Sequence, residues 1–203
     1  IGGGTEGGTR TVTGTNFPNT AAGSAIGAGS NILYDNNTIT TTGHGISGGS
    51  GSTVSNNTIT RSGPIGGNGI TMSIYGDKDN HYENNTVSGF DAGLRSPARS
   101  DITMAGNHFD GNNYGVNWTH NAGGGLSSLQ SVGDQFGTVT PNNTYDVRLA
   151  SLNNGDTEFH FDGSLLASDP DPLNELYFQF NNGRKCFVAF RDFDGTAGDY
   201  RVW

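Results

Sequence analysis

The chain has 203 residues, and Gly, Asn, Thr and Ser together make up nearly half of it, which excludes a helical bundle because all four are poor helix formers. Its 10 Lys and Arg against 19 Asp and Glu give a net charge of −9, which excludes the basic stripe that a nucleic-acid groove needs. Low charge and 10% aromatic residues argue against a disordered chain, so we predict short β-strands joined by tight turns.

An internal repeat supports this prediction. Every 22 residues or so, an apolar residue is followed by two residues, Asn, one residue and a second apolar residue. The copies are Tyr34–Ile39, Val54–Ile59, Tyr82–Val87 and Met104–Phe109, with weaker ones at Val12–Phe17 and Asp134–Phe136. A Gly-apolar pair follows most copies, as in Gly45-Ile46, Gly69-Ile70, Gly93-Leu94 and Gly115-Val116. Such a repeat predicts the coils of a parallel solenoid, with Asn in its turns and Gly allowing a tight bend into the next strand.

The Asn-Asn-Thr-Ile segments at 36–39 and 56–59, Asn-Asn-Thr-Val at 84–87 and Gly-x-Gly-Ile at 43–46 and 67–70 resemble the right-handed parallel β-helix (pectin-lyase-like) superfamily. The resemblance covers residues 10–150 and implies an all-β solenoid of about six to seven short coils. The first strands of successive coils would carry Ile26, Ile46, Ile70, Leu94, Val116 and Val147. The second strands would carry Ile32, Val54, Tyr82 and Met104, and the third strands Ile39, Ile59, Val87 and Phe109.

The last part of the chain departs from the repeat. We therefore divide the chain into a parallel β-helix at 1–150 and a C-terminal antiparallel β cap, or an oligomerisation segment, at 151–203. The Asn-Asn-Gly-Arg sequence between 176–180 and 185–190 predicts a hairpin, and the single Cys186 predicts a buried thiol with no disulfide. Asp192, Asp194 and Asp199 form part of a calcium-loop pattern that lacks its first ligand and final Glu. No cofactor is firmly predicted, and calcium is the one candidate.

The resemblance places the functional face on the first strands and their flanking loops. The residues after the inward apolar ones form an outward column of Gly27, Ser47, Thr71, Arg95, Asn117 and Arg148. The candidate catalytic residues are Lys78, Arg95 and His120, and the candidate substrate-binding residues are Tyr75, Asp77, Asp79, Arg99, Asp101 and Asn117. This set suits β-elimination on a uronic acid, which needs a cation for the carboxylate and a base for the C5 proton. Alternatively, these charges simply collect in the longest solvated loops.

Two other motifs point to different activities. Gly-His-Gly-Ile-Ser at 43–47 resembles the Gly-His-Gly motif of polygalacturonases, but the paired aspartates of that family are missing at 20–23, so His44 is predicted to be a turn residue. Outward Thr pairs at Thr38/Thr40 and Thr58/Thr60 resemble the flat ranks of ice-binding solenoids, and these ranks decay in later coils.

Two functions stay open at this point. One is an extracellular polysaccharide-acting β-helix, lyase- or epimerase-like, with a uronic-acid-containing glycan in the groove along the first strands. The other is a non-catalytic solenoid, such as a phage tailspike-like or cell-surface adhesive module. The expected partner is a polysaccharide, without nucleic acid or membrane insertion, and either a homo-oligomer or attachment to a longer chain would fit. Because the sequence begins at Ile1, we read it as a mature form or a piece of a longer protein.

Overall fold

The computed structural model describes residues 10–20, 23–27, 29–72, 79–96, 101–120, 127–151, 157–166, 176–180, 186–191 and 200–202. Within these residues all regular structure is β, in 23 strands that form three sheets. No helix in the described ranges has the length and apolar character needed to cross a bilayer.

From β1 to β22 the three sheets take successive strands in turn along the chain. We call the sheet that contains the Gly-apolar pairs the first, and the next two along the chain the second and third. The first sheet contains β3 (Ser24–Ile26), β6 (His44–Gly48), β9 (Asn68–Met72), β12 (Ala92–Ser96), β15 (Tyr114–His120), β18 (Tyr145–Ser151) and β21 (Leu176–Phe180). The second sheet contains β1 (Arg10–Thr13), β4 (Ile32–Asp35), β7 (Thr53–Ser55), β10 (Asn80–Glu83), β13 (Asp101–Ala105), β16 (Ser127–Val132), β19 (Thr157–Asp162), β22 (Cys186–Arg191) and β23 (Tyr200–Val202). The third sheet contains β2 (Asn16–Thr20), β5 (Thr38–Thr41), β8 (Thr58–Arg61), β11 (Thr86–Ser88), β14 (His108–Asp110), β17 (Gln135–Phe136) and β20 (Leu165–Leu166).

The core is a column of apolar side chains that point inward from all three sheets. In the first sheet, the register joins all six predicted residues from Ile26 to Val147, and in the third it joins the four from Ile39 to Phe109. In the second sheet the four predicted residues lie on its strands, and Tyr34 lies opposite Val54, as the repeat predicts. Ile32 lies one inward position earlier on the same strand, opposite Arg10, and is only partly buried.

The seven described turns from the second sheet to the third contain two residues each. The first residue has a left-handed backbone with φ of 53° to 63°, at Gly14, Asn36, Asn56, Asn84, Gly106, Gly133 and Gly163. The second residue is Asn in four successive coils, at Asn37, Asn57, Asn85 and Asn107, and each of these side chains is buried. Each of the four donates its Nδ2 to the Oδ1 of the residue one coil on, at 2.7–2.9 Å. The predicted Asn turns are therefore confirmed, and their side chains also bond to one another along the axis.

The glycines of the Gly-apolar pairs have a different role from the predicted one. Gly45, Gly69, Gly93 and Gly115 have no positive φ, so they are not needed for a tight bend. A Cβ on Gly69 would instead lie 2.1 Å from Cγ1 of Val87 and 2.9 Å from the carbonyl oxygen of Gly93. These positions need glycine because the first sheet lies too close to the third-sheet side chains and to the next coil for any Cβ.

We expect Gly69→Ala to lower the free energy of unfolding by about 1–3 kcal/mol, since the added methyl group overpacks a filled interior. Gly27→Ala is the matched control, because a Cβ there meets nothing within 4 Å and the φ of Gly27 is not positive. The control should stay within about 0.5 kcal/mol of the unmodified chain in urea denaturation. Equal stabilities for the two variants would contradict the steric explanation.

The parallel arrangement continues beyond residue 150. β21 pairs in parallel with β18, and β22 pairs in parallel with β19. The predicted hairpin is therefore wrong, because β21 belongs to the first sheet and β22 to the second, each aligned with the preceding coil. Among the described strands, the antiparallel pair is β22–β23. The calcium-loop residues Asp192, Asp194 and Asp199, and the side chain of Cys186, lie outside the described part of the chain.

Candidate functional site

A row of polar side chains runs along the outer face of the first sheet. The register aligns Ser47 with Thr71, Thr71 with Arg95, Arg95 with Asn117, and Asn117 with Arg148. Because neighbouring strands are about 4.8 Å apart, these five residues span roughly 19 Å. We call them the first-sheet row. Gly27 follows β3 and is not part of a strand.

The two arginines of the row have different surroundings. Nη1 of Arg148 donates to Oδ1 of Asn117 at 2.9 Å and to Oγ1 of Thr119 at 3.3 Å, so its guanidinium lies across the neighbouring coil. Arg95 is exposed and has no hydrogen-bond or ion-pair partner among the described residues. Beside it, Oγ1 of Thr71 is buried and lacks a partner. The row thus presents one held guanidinium and one that can bind a ligand.

The other predicted site residues are distributed around this row. Asn117 lies directly opposite Arg95. His120 ends β15 and pairs with Ser151, three residues beyond Asn117 and so about 10 Å further along the strand. The side chain of His120, and the whole of Tyr75, Asp77, Lys78 and Arg99, lie outside the described part of the structure.

The two predicted aspartates that the structure describes belong to the second sheet. Asp101 begins β13, where its Oδ1 accepts a hydrogen bond from Ser128 at 3.2 Å. Asp79 is exposed, has a φ of 56° and immediately precedes β10. Among the predicted site residues whose side chains are described, Arg95 and Asn117 therefore lie together on the first sheet.

Variable connections border the first sheet on both sides. From β9 onward, four to seven residues join a first-sheet strand to the following second-sheet strand, as in 73–79 and 97–100. From the third sheet back to the first, the connection ranges from two to nine residues. The described turns between the second and third sheets have two residues each. Because loops of variable length on a rigid scaffold commonly carry function, this pattern selects the first sheet as the candidate face.

His44 has a structural position rather than the predicted turn position. It begins β6, and its Nδ1 accepts a hydrogen bond from the backbone N–H of Asn68 at 3.0 Å, one coil on. This bond uses one ring nitrogen to join two coils.

The threonine ranks lie on the third sheet. Thr38, Thr58 and Thr86 are in register and exposed, and His108 then takes the corresponding position in β14. The regular rank therefore spans three coils.

The sequence patterns did not identify a depression on the outer face of the second sheet. An open cavity of about 370 Å³ lies over β10, β13 and β16. The cavity is lined mainly by side chains that point outward from these strands. The repeat is defined by the inward side chains, so it does not predict the lining. Alternation along the strands would have placed them on one face, but not shown that they enclose a cavity.

The described groups with shifted pKa values lie away from the first-sheet row. Burial raises the pKa of Tyr34 to about 12, and its hydroxyl donates to the carbonyl of Gly27 at 3.2 Å. Burial also raises the pKa of Asp134 to about 6. Hydrogen bonds from Ser55 and Asn56 lower the pKa of Asp35. Within the described residues, no three His, Cys, Asp or Glu side chains are grouped as metal ligands.

Comparison with known proteins agrees with the sheet topology. The sequence profile of the family described as right handed beta helix region matches residues 4–148. The chain therefore belongs to the right-handed β-helix family. No curated protein and no solved structure matches the chain.

Proposed function

We propose that this protein is an extracellular or surface-located polysaccharide-binding β-helix that holds an acidic glycan along the first-sheet row. The observation that carries the proposal is the alignment of Arg95, Asn117 and Arg148 on three successive coils, in a chain whose net charge is −9. Two guanidinium groups on one ladder of an otherwise acidic protein provide a local site for anions.

The chemistry of the row suits a uronic-acid polymer. A guanidinium binds a carboxylate through two parallel N–H donors, and Arg95 is exposed and available for this. Arg148 lies two coils away, about 10 Å. Its guanidinium is held by Asn117 and Thr119, and its charge attracts a second carboxylate along the same glycan. Oδ1 of Asn117 accepts from Arg148 and Thr119, so its Nδ2 is the group offered to the sugar hydroxyl groups beside it.

A lyase- or epimerase-like reaction would extend this binding role. Neutralising the uronate carboxylate with Arg95 would make the C5 proton more acidic, and Lys78 or His120 would remove it as the base. In elimination, the C4–O4 bond then breaks, a C4–C5 double bond forms, and the leaving oxygen takes up a proton, with Tyr75 as the proposed donor. In epimerisation, a proton returns to C5 from the opposite face.

A non-catalytic adhesive module is the second candidate. It is favoured by the positions of Asp79 and Asp101, which lie at the second sheet and not beside Arg95. An arrangement of this kind can bind a polymer without supplying carboxylates to the reacting sugar.

Arg95→Ala is expected to weaken binding of polygalacturonate or alginate about 10- to 100-fold in titration calorimetry at low salt. The estimate corresponds to the loss of one charge-assisted contact. Arg10→Ala is the control, since it removes the same charge from an exposed position on β1 of the second sheet. Absence of binding to any polyuronate, or equal affinity after Arg95→Ala, would refute the binding proposal. Binding without new ultraviolet absorbance from unsaturated ends and without C5 inversion would favour the adhesive module.

A further inference from the structure

The outer face of the second sheet contains a depression that crosses three coils. Its floor is made by the small side chains of Thr103 and Ala105 on β13. Larger side chains flank this floor, namely His81 and Glu83 on β10 and Gln130 and Val132 on β16. We call these six residues the second-sheet trough. The flanking strands are two coil spacings apart, about 10 Å, and the volume of about 370 Å³ is within the range of small-ligand sites.

The hydrogen bonds inside the trough define what it offers to a ligand. Nδ1 of His81 contacts Oγ1 of Thr103, and the Thr103 hydroxyl donates its one proton to the carbonyl of Asn80 at 3.4 Å. Nδ1 of His81 is therefore used within the trough, and Nε2 is the ring nitrogen left for a ligand. Glu83 adds a carboxylate, of which Oε1 receives only a long 3.5 Å bond from Asn84.

This set of groups selects for a ligand with several hydroxyl donors. The Glu83 carboxylate accepts hydrogen bonds, the Gln130 amide both accepts and donates, and Nε2 of His81 adds a third polar group. Glu83 would repel an anionic ligand. On the opposite side Val132 is 54% exposed and, with Ala105, provides an apolar surface suited to the C–H groups of a sugar ring.

We propose that the second-sheet trough binds a neutral sugar unit. The site is separate from the first-sheet row, and its charge is opposite in sign. The proposal does not depend on the proposed function, because each site can bind or fail to bind on its own.

The test uses the full chain with cellotriose, maltotriose, mannotriose and N-acetylchitotriose as probes. Addition of at least one of them should shift the imidazole NMR signals of His81 and leave those of His44, which joins two coils on the first sheet, unchanged. Ala105→Leu fills the floor and should weaken that binding at least tenfold, and Glu83→Gln, which removes the charged acceptor, should weaken it several-fold. Thr13→Leu is the control, because Thr13 lies in the same outward column as Ala105, four coils earlier and outside the trough.

A His81 shift that Ala105→Leu abolishes and Thr13→Leu preserves would support the trough. No His81 shift with any of the four probes, or full affinity in Ala105→Leu, would overturn the proposal. So would a His81 shift produced by polygalacturonate or spermidine but by none of the neutral sugars. Circular dichroism of each variant checks that its fold is retained.

Discussion

Asn85→Ala is expected to lower the free energy of unfolding by about 3–6 kcal/mol, because it leaves several buried polar groups without partners. Nδ2 of Asn85 donates to the carbonyl of Val54 at 2.7 Å and to Oδ1 of Asn107 at 2.8 Å. Its own Oδ1 accepts from the backbone N–H and the Nδ2 of Asn57. All of these contacts are buried, so water cannot replace them, and the loss is large against a typical domain stability of about 5–15 kcal/mol.

The preceding residue supplies a matched control. Asn84 is exposed and has a φ of 53°, a conformation for which other coils use glycine, as at Gly106 and Gly133. Asn84→Gly should therefore change the free energy of unfolding by less than about 0.5 kcal/mol in urea denaturation. If neighbouring asparagines gave equal losses, the hydrogen-bond ladder would not be the source of the effect.

Asp134→Asn is expected to stabilise the protein at neutral pH by up to about 3 kcal/mol, with the gain disappearing in acid. Asp134 is fully buried in the position that Asn occupies in the four preceding coils. Burial raises the pKa of its carboxyl to about 6, although hydrogen bonds from Ser131 and Asn107 oppose the shift. The amide of an asparagine can accept the same bonds from Asn107 without a buried charge.

The sign follows from the raised pKa. The Asp134 carboxyl has a pKa of about 6 in the folded state and an ordinary value of 3.8. Its contribution to the free energy of unfolding is therefore fully present below pH 3.8 and is lost as the pH rises through 6. Urea denaturation at pH 4, 6 and 7.5 should show this loss in the unmodified chain and not in Asp134→Asn. Asp35→Asn is the control of opposite sign, since hydrogen bonds lower the pKa of Asp35 and its stabilising effect is present above pH 3.8. A pH profile left unchanged by Asp134→Asn would contradict the assignment.

The sequence predicts the interior of this protein better than its outer faces. Each coil repeats the same inward residues, so the ladders through Ile46 and Ile59 could be aligned by counting from the Asn turns. Ile32 and Tyr34 point to the same side of one strand, and the register pairs Tyr34 with Val54, as the repeat predicts. The hairpin signal at 181–184 was local, whereas parallel pairing with the previous coil determined where β21 and β22 lie.

The candidate site was predictable only where it depends on that register. Arg95 and Asn117 follow inward apolar residues in consecutive coils, so their common row could be derived from the repeat. Asp79 is the last residue of a seven-residue connection and Asp101 follows one of four residues, and these unequal lengths remove any fixed relation to the row. The second-sheet trough depends on the sizes of outward side chains in three coils, a property that no repeat encodes.

The side-chain amide dipoles of the stacked turn asparagines, Asn37, Asn57, Asn85 and Asn107, point in one direction along the axis. Each amide has its oxygen towards the preceding coil and its nitrogen towards the following one, from Asn37 to Asn107. Their dipoles therefore add along the axis with the positive end at the later coils, as peptide dipoles do in an α-helix. Asp134 stands at that positive end, where a negative charge is best tolerated, and a carboxylate moved to the Asn37 end would face the opposite potential.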